Sequence, residues 1–493
     1  MGAAADHLLA IDQGTTGTTV LVLDRTLAVR GRGYQEIPQI YPRPGEVEHD
    51  PEVIWRGVVA AIQAALRAAE LEPTDIAAIG ITNQRETAVL WERKTGKTIG
   101  NAIVWQDRRT ASICAGMKDA GLEERVRERT GLVLDPYFSA TKVRFMLDAT
   151  PGLRARATKG DIAFGTIDSF LIWRLSHGAA HVTDPSNASR TLLFDLEAGE
   201  FTDELCELFG VPMKVLPEVR GSAEVLAKTR GVDGLPDGIP IAGVAGDQQA
   251  ALYGQTCLNP GDAKCTYGTG AFLLMNVGAT PVRSRSGMLG TVAWRIDGKT
   301  TYALEGSAFI AGALVQWLRD GLGIIETASE VETLARSVPD SGGVTIVPAL
   351  VGLGAPHWRP EARGLITGIT RGTTRAHLCR AALEAIALQN VDLALAMQAD
   401  AGRAITQLRV DGGASANDLL LQMQSDLLGV AIFRPDMVEA TALGAAKLAA
   451  RGAGFPLDMQ ATPTARMGIF NPTLDPPARE VQLRRWRAAV AKA

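Results

Sequence analysis

Apolar runs of β-branched and aliphatic residues occupy positions 8–11, 19–23 and 76–82, whereas across 51–70 the apolar positions recur at helical spacing. The short runs predict strands and the spaced positions an amphipathic helix. Asp50 stands where an N-cap side chain accepts free N–H groups of the first turn, and Pro51 loses no hydrogen bond at the first helical position, so the helix is predicted to begin there. Strands alternating with helices predict an α/β fold. Farther on, GVDGLPDGIPIAGVAGDQQAALYGQ (231–255) runs from a Pro/Gly loop into a strand and then a helix, and LNPGD (258–262) has the composition of a connector. Beyond it, AKCTYGTGAFLLMNVG (263–278) repeats the opening plan of strand, Gly/Thr turn and strand. A chain of 493 residues is too long for one hydrophobic core, and the repeat suggests two domains of one fold, residues 1–256 and 257–493, with a ligand cleft between them.

The first turn, IDQGTTG (11–17), carries the chemistry. Glycines let backbone N–H groups converge on an anion, and threonine hydroxyls add donors, so a phosphate fits. Asp12 repels phosphate unless a cation lies between them, and Mg²⁺ takes carboxylate and water oxygens. The alternative is a tight hairpin in which Gly14 and Gly17 only supply positive φ. KTGKT (94–98) fails as a phosphate loop of the GxxxxGK[ST] type, because Trp91 stands where its first glycine belongs. It is predicted to be a polar hairpin loop. Neither glycine-rich turn matches GxGxxG ahead of a helix, so a dinucleotide fold has no support.

Composition narrows the partners. With 46% hydrophobic and 21% charged residues the chain is expected to fold in water, and a net charge of −4 with 5% aromatics leaves no signature of nucleic-acid binding. A small-molecule partner is expected. The N-terminus lacks a basic segment followed by a long apolar one, no stretch has the length to insert in a membrane, and Asp6 stands where myristoylation of a Met1-Gly2 start wants Ser or Thr, so a cytoplasmic location is expected. Cys114, Cys206, Cys257, Cys265 and Cys379 are far apart and free of CxxC spacing, which predicts reduced thiols. His177 and His181 are spaced i,i+4 without the glutamate of a zinc-binding HExxH, and no metal is expected there.

Four more stretches, GITNQRETAVLW from Gly80, AIVWQDRRT from Ala102, DPYFSATKVRFMLD from Asp135 and GVAGDQQAALYGQ from Gly243, join IDQGTTG in a recurring order. Together they resemble the glycerol kinases of the FGGY family of sugar and polyol kinases, and the likeness extends to VDGGASANDLLLQMQSDLLG at 410–429. The resemblance implies two actin-like, ribonuclease-H-like ATPase domains with the active site between them. It implies ATP-dependent phosphorylation of glycerol to sn-glycerol 3-phosphate, with Mg²⁺, and a homo-oligomer, dimer or tetramer. Arg85, Glu86, Trp105, Tyr137, Asp247, Gln248 and Phe272 are implied to surround glycerol. Arg85 can only donate and Glu86 only accept, so the pair suits two hydroxyls; taken alone, they form an exposed ion pair at a strand end, and Trp105 alone is a core residue. Thr15, Thr16, Gly17, Thr269, Gly312, Gln316, Gly413 and Asn417 are implied to hold the nucleotide. Asp247, after a strand and at the start of a helix, is implied to be the catalytic base and, with Asp12, a metal ligand; the same position also suits a helix N-cap. Another polyol or sugar kinase, or a nucleotide-gated protein without catalysis, are the competing functions. The chain departs from the family at Thr19, where most glycerol kinases carry arginine, which leaves the phosphate clamp short of one charge, and at Phe145, where tryptophan is usual. The loop at 229–240 lacks the glycine-and-arginine pattern of fructose 1,6-bisphosphate binding, and the surroundings of His181 do not match those of a phosphorylated histidine.

Overall fold

A computed structural model describes residues 5–359, 361–435, 439–457 and 468–493; the Met1-Gly2 start lies outside them. Two mixed sheets organise the chain. Across the first, the strands lie in the order Ala227–Lys228, Pro240–Gly246, Ile76–Asn83, His7–Gln13, Gly17–Leu23 and Val29–Glu36. His7–Gln13 pairs antiparallel with Gly17–Leu23 and parallel with Ile76–Asn83, which in turn runs parallel to Pro240–Gly246. The second sheet repeats this core. Asp262–Tyr267 pairs antiparallel with Ala271–Gly278 and parallel with Gln407–Asp411, and Ile432–Arg434 continues the parallel side. Each half therefore has an antiparallel hairpin beside parallel strands, the arrangement expected of two actin-like domains. All three strands predicted at 8–11, 19–23 and 76–82 are present, each longer by one to three residues.

Alternation along the first strand explains its burial on both faces. Leu9 and Ile11 point with Val20, Val22, Ile79 and Ile81 toward the helix Pro51–Ala69, whose Ile54, Val58, Ala61 and Ile62 complete that core. The Asp50 carboxylate accepts the Glu52 N–H at 2.8 Å, and the helix ends one residue before the predicted limit because Glu70 adopts a left-handed conformation at φ 54°. Leu8, Ala10, Leu21, Leu23 and Ala78 point the opposite way. They are covered by Ala442, Leu443, Ala445, Ala446, Ala449 and Ala450 of the helix Ala440–Ala453, so a helix from the C-terminal half returns to seal the first sheet. Small side chains allow that helix to lie close.

KTGKT forms the expected hairpin loop, with the Glu92 N–H donating to the Lys97 carbonyl at 2.9 Å. The His181 ring is occupied at both nitrogens, by the Arg93 guanidinium at 2.9 Å and the Phe164 carbonyl at 2.7 Å. All five cysteines are free and buried. Among the described residues no helix is long and apolar enough to cross a membrane, and no group of three or more His, Cys, Asp or Glu side chains is arranged to hold a metal ion by itself.

Candidate active site

The parallel strands of the first sheet deliver their last residues to one end of the sheet, where α/β folds collect ligands. Asn83 pairs in register with Gln13 on one side and Gly246 on the other, so the residues that follow, Arg85, Glu86 and Asp247, emerge beside the turn that begins at Asp12. There Thr15, Arg85, Glu86, Trp105, Tyr137, Asp247, Gln248 and Phe272 line one cavity of about 80 Å³. All seven residues implied to surround glycerol are among these eight.

Arg85 and Glu86 are 3% and 2% exposed at their side chains, which overturns the alternative of an exposed ion pair at a strand end. Their charges are balanced by two residues that carried no expectation. Arg85 Nη1 and Nη2 donate to the Glu305 carboxylate at 2.5 and 3.2 Å, and Arg190 Nη2 donates to the same group at 3.0 Å. Arg190 Nε donates to Glu86 Oε1 at 2.7 Å. Glu305 lies on the second-sheet strand Lys299–Ala308, so one carboxylate of the C-terminal half grips two arginines of the N-terminal half. Burial alone would raise its pKa, but the charges of Arg190 and Arg85 overcome this and hold Glu305 at about 2. Glu86 is pushed upward by its burial against the pull of Arg190 and Arg85. It also has a left-handed backbone, φ 61°, a strained conformation for a glutamate that the ion pairs help to fix. Its second oxygen, Oε2, has no protein partner among the described residues and is free for a ligand.

Asp247 is the first residue of the helix Asp247–Gly254, and the cap position belongs to Gly246. Its Oδ1 accepts the Gln248 N–H at 2.6 Å and forms an ion pair with Arg85 Nε at 3.1 Å. A capping side chain would accept from two or three residues onward, so Asp247 is not serving as the N-cap. Oδ2 has no protein partner among the described residues. Gly246 is required by packing: a Cβ there would lie 2.7 Å from Cγ and Cδ of Arg85. The Gly246 N–H donates to Ser186 Oγ at 2.9 Å, which fixes the strand end ahead of Asp247.

Asp12 lies one strand-pair over, level with Thr82 and Ala245, which places its Cα roughly 12 Å from that of Asp247 by strand spacing and rise. Burial first, then the negative charges of Asp247 and Glu439, push its carboxyl up to about 8. No cation or hydrogen-bond donor pairs with it among the described residues. A half-buried carboxylate near a second carboxylate, both with unused oxygens, suits a hard cation such as Mg²⁺ that takes its remaining ligands from water and phosphate. Thr19 pairs in register with Asp12 on one side and Tyr34 on the other, and brings no charge to this face. In the turn itself, neither Gly14 nor Gly17 has positive φ, contrary to the hairpin alternative. A Cβ at Gly17 would lie 2.5 Å from the Tyr34 hydroxyl, so the exposed Tyr34 side chain would have to move to admit one.

A second cavity, of about 490 Å³, is lined by Thr269, Gly312, Gln316, Gly413 and Asn417 together with Tyr267, Gly268, Glu332 and Leu420. These five implied nucleotide residues thus come together on the C-terminal half. Thr15 instead faces the small cavity, and Thr16 is exposed with its carbonyl taken by the Ile37 N–H. Asn417 caps the helix Asp418–Leu428 through Oδ1, which accepts the Leu420 N–H at 2.9 Å and leaves the amide N–H₂ for a ligand.

Models of the FGGY family of carbohydrate kinases match the chain twice, the N-terminal domain over residues 7–254 and the C-terminal domain over 263–453. The chain is 58% identical over 493 residues to a glycerol kinase of Myxococcus xanthus, with 99% of each chain covered, and 53% identical over 490 residues to one of Deinococcus radiodurans, covering 99% and 97%. A crystal structure of Plasmodium falciparum glycerol kinase with ADP superposes with a TM-score of 0.94 at 34% identity, covering 99% and 98%; a xylulose kinase of Rhodospirillum rubrum, at 24% identity and 0.87, shares the fold. With both of its domains matched and full-length relatives above half identity, the chain belongs to the FGGY family of carbohydrate kinases.

Proposed function

We propose that the protein transfers the γ-phosphoryl group of ATP to glycerol, giving sn-glycerol 3-phosphate. The observation that carries this reading is the small cavity: about 80 Å³, with donors from Arg85, acceptors from Glu86 and Asp247, and the aromatic rings of Trp105, Tyr137 and Phe272 around it. A three-carbon triol satisfies that set of donors and acceptors, and a bulkier sugar would meet the ring walls. The larger cavity beside Thr269 and Gly413 has the volume for a nucleotide.

Substrate binds with one primary hydroxyl at Asp247. Oδ2 accepts its proton while the alcohol oxygen forms a bond to the γ-phosphorus and the bond from that phosphorus to the β–γ bridging oxygen breaks, releasing ADP. Arg85 Nε holds Oδ1 so that Oδ2 is the oxygen presented. Rings around the site exclude water that would compete as acceptor. Asp12 and Asp247 would hold Mg²⁺, which would supply charge neutralisation for the transferring phosphoryl group. A coupled assay of ADP release over glycerol, dihydroxyacetone, erythritol and xylulose tests the proposal. Glycerol is expected to give the highest kcat/KM, and preference for any other member rejects it.

A further inference from the structure

Lys264 is a buried cation to which neither the family resemblance nor the mechanism above gives a role. It stands on Asp262–Tyr267, the first strand of the second sheet, and is fully buried. Ala263, Cys265 and Tyr267 point from that strand into the C-terminal core, while Lys264 and Thr266 point the other way, toward the helix that begins at Asp247. The ammonium donates to Gln248 Oε1 in a short hydrogen bond and to Thr266 Oγ1 at 2.8 Å. An ammonium has donors and no acceptor, so only the oxygen of the Gln248 amide can face it. The other end of that amide, Nε2, has no protein partner among the described residues, and Gln248 lines the small cavity. Burial pushes the Lys264 ammonium toward its neutral form, while the nearby Asp411 and Asp247 carboxylates favour its charge.

We infer that Lys264 is a positioning residue that pins the Gln248 amide in one orientation, so that the polyol cavity meets its substrate with N–H donors at that edge. The inference rests on the proposed glycerol-kinase reading for the identity of the substrate. Without the ammonium the amide is free to turn over, and half of its orientations present an acceptor where the substrate oxygen needs a donor. Arg85 and Gln248 then form the donor side of the cavity, and Glu86 Oε2 and Asp247 Oδ2 the acceptor side. The ammonium, contributed by the second sheet, orients a side chain of the first half, so the donor pattern is complete only with both halves in contact.

The test compares Lys264→Met with the unaltered enzyme on glycerol, 1,2-propanediol and 1,3-propanediol, the two diols each lacking one substrate oxygen. Lys264→Met is expected to raise the KM for glycerol at least 10-fold with a smaller change in kcat, and to shrink the preference for glycerol over at least one diol by a similar factor, with ADP still raising the unfolding temperature as before. A residue that only stabilises the fold would lower the yield of active enzyme and leave both KM and preference in place, and that result overturns the inference. Gln248→Glu provides a second measurement that leaves Lys264 paired: its carboxylate has no N–H to offer and is expected to raise KM as far as Gln248→Met does. A KM unchanged in Gln248→Glu also overturns the inference. Lack of glycerol phosphorylation by the unaltered enzyme rejects the proposed function itself, an outcome distinct from either.

Discussion

The indole N–H of Trp105 donates to Thr15 Oγ1 at 3.0 Å, and so ties the wall of the small cavity to the turn that follows Asp12. With one of its two lone pairs engaged, the Thr15 hydroxyl still has its own proton to donate to a ligand oxygen. The Trp105 ring packs edge-on against Tyr137, with ring centroids 5.6 Å apart. The hydrogen bond adds a second task. Trp105→Phe retains the ring and removes the donor, so turnover is expected to fall by about 3- to 10-fold, the worth of one neutral hydrogen bond, while the KM for glycerol changes by less. Steady-state kinetics check this.

Asp247→Asn keeps an acceptor for the Gln248 N–H but removes the charge facing Arg85 Nε and the basicity of Oδ2. Turnover is expected to fall by roughly 10²- to 10⁴-fold. Because Asp247 does not cap its helix, the unfolding temperature should stay within about 3 °C of that of the unaltered protein. Calorimetry beside the activity assay separates the two effects.

Glu305→Gln leaves Arg85 and Arg190 buried without the one carboxylate that both of them hydrogen-bond. A loss of about 3–5 kcal/mol in stability is expected, as for other broken buried ion pairs. The pKa of Glu305 is lowered in the folded protein, so its contribution is fully present above the ordinary glutamate range and is lost as pH falls through about 2. The stability difference between the two proteins should therefore be flat from pH 8 to pH 5 and narrow only at lower pH. Denaturant titrations at several pH values measure it.

Asp12 behaves in the opposite sense. Its carboxyl is raised to about 8 in the folded protein, so stability is greatest below the ordinary aspartate range and declines as pH rises through about 8. Asp12→Asn is expected to raise the unfolding temperature of the ligand-free protein at pH 8 by ~2–4 °C or more, with no gain near pH 4, and to abolish turnover. Equal unfolding temperatures at pH 8 would show that the carboxylate is not strained by its surroundings.

Much of this was legible in the sequence where neighbours along the chain decide the outcome. Asp50 and Pro51 mark a helix start by local hydrogen bonding alone, and the Gly/Thr turns announce themselves by residue type. The order of several motifs then identified Arg85, Glu86 and Asp247 as companions, and the structure brings them into one cavity. What escaped depends on contacts across long separations. Arg190 and Glu305 are 115 positions apart, and the only local signal for each was a lone charge in a stretch of small and apolar residues, NASRTLL and YALEGSA. The helix Ala440–Ala453 shows an apolar pattern that predicts burial but does not specify the first sheet as its partner. Nor could the sequence reveal that Thr15 and Trp105 share a hydrogen bond, since 90 positions lie between them.

The most direct measurement is glycerol-dependent release of ADP from ATP by the purified protein, run side by side with Asp247→Asn under Mg²⁺. Stoichiometric ADP and sn-glycerol 3-phosphate from the unaltered protein, with at least 100-fold less from the variant, is the predicted result. ADP release that does not depend on glycerol, or that survives undiminished in Asp247→Asn, would contradict the account.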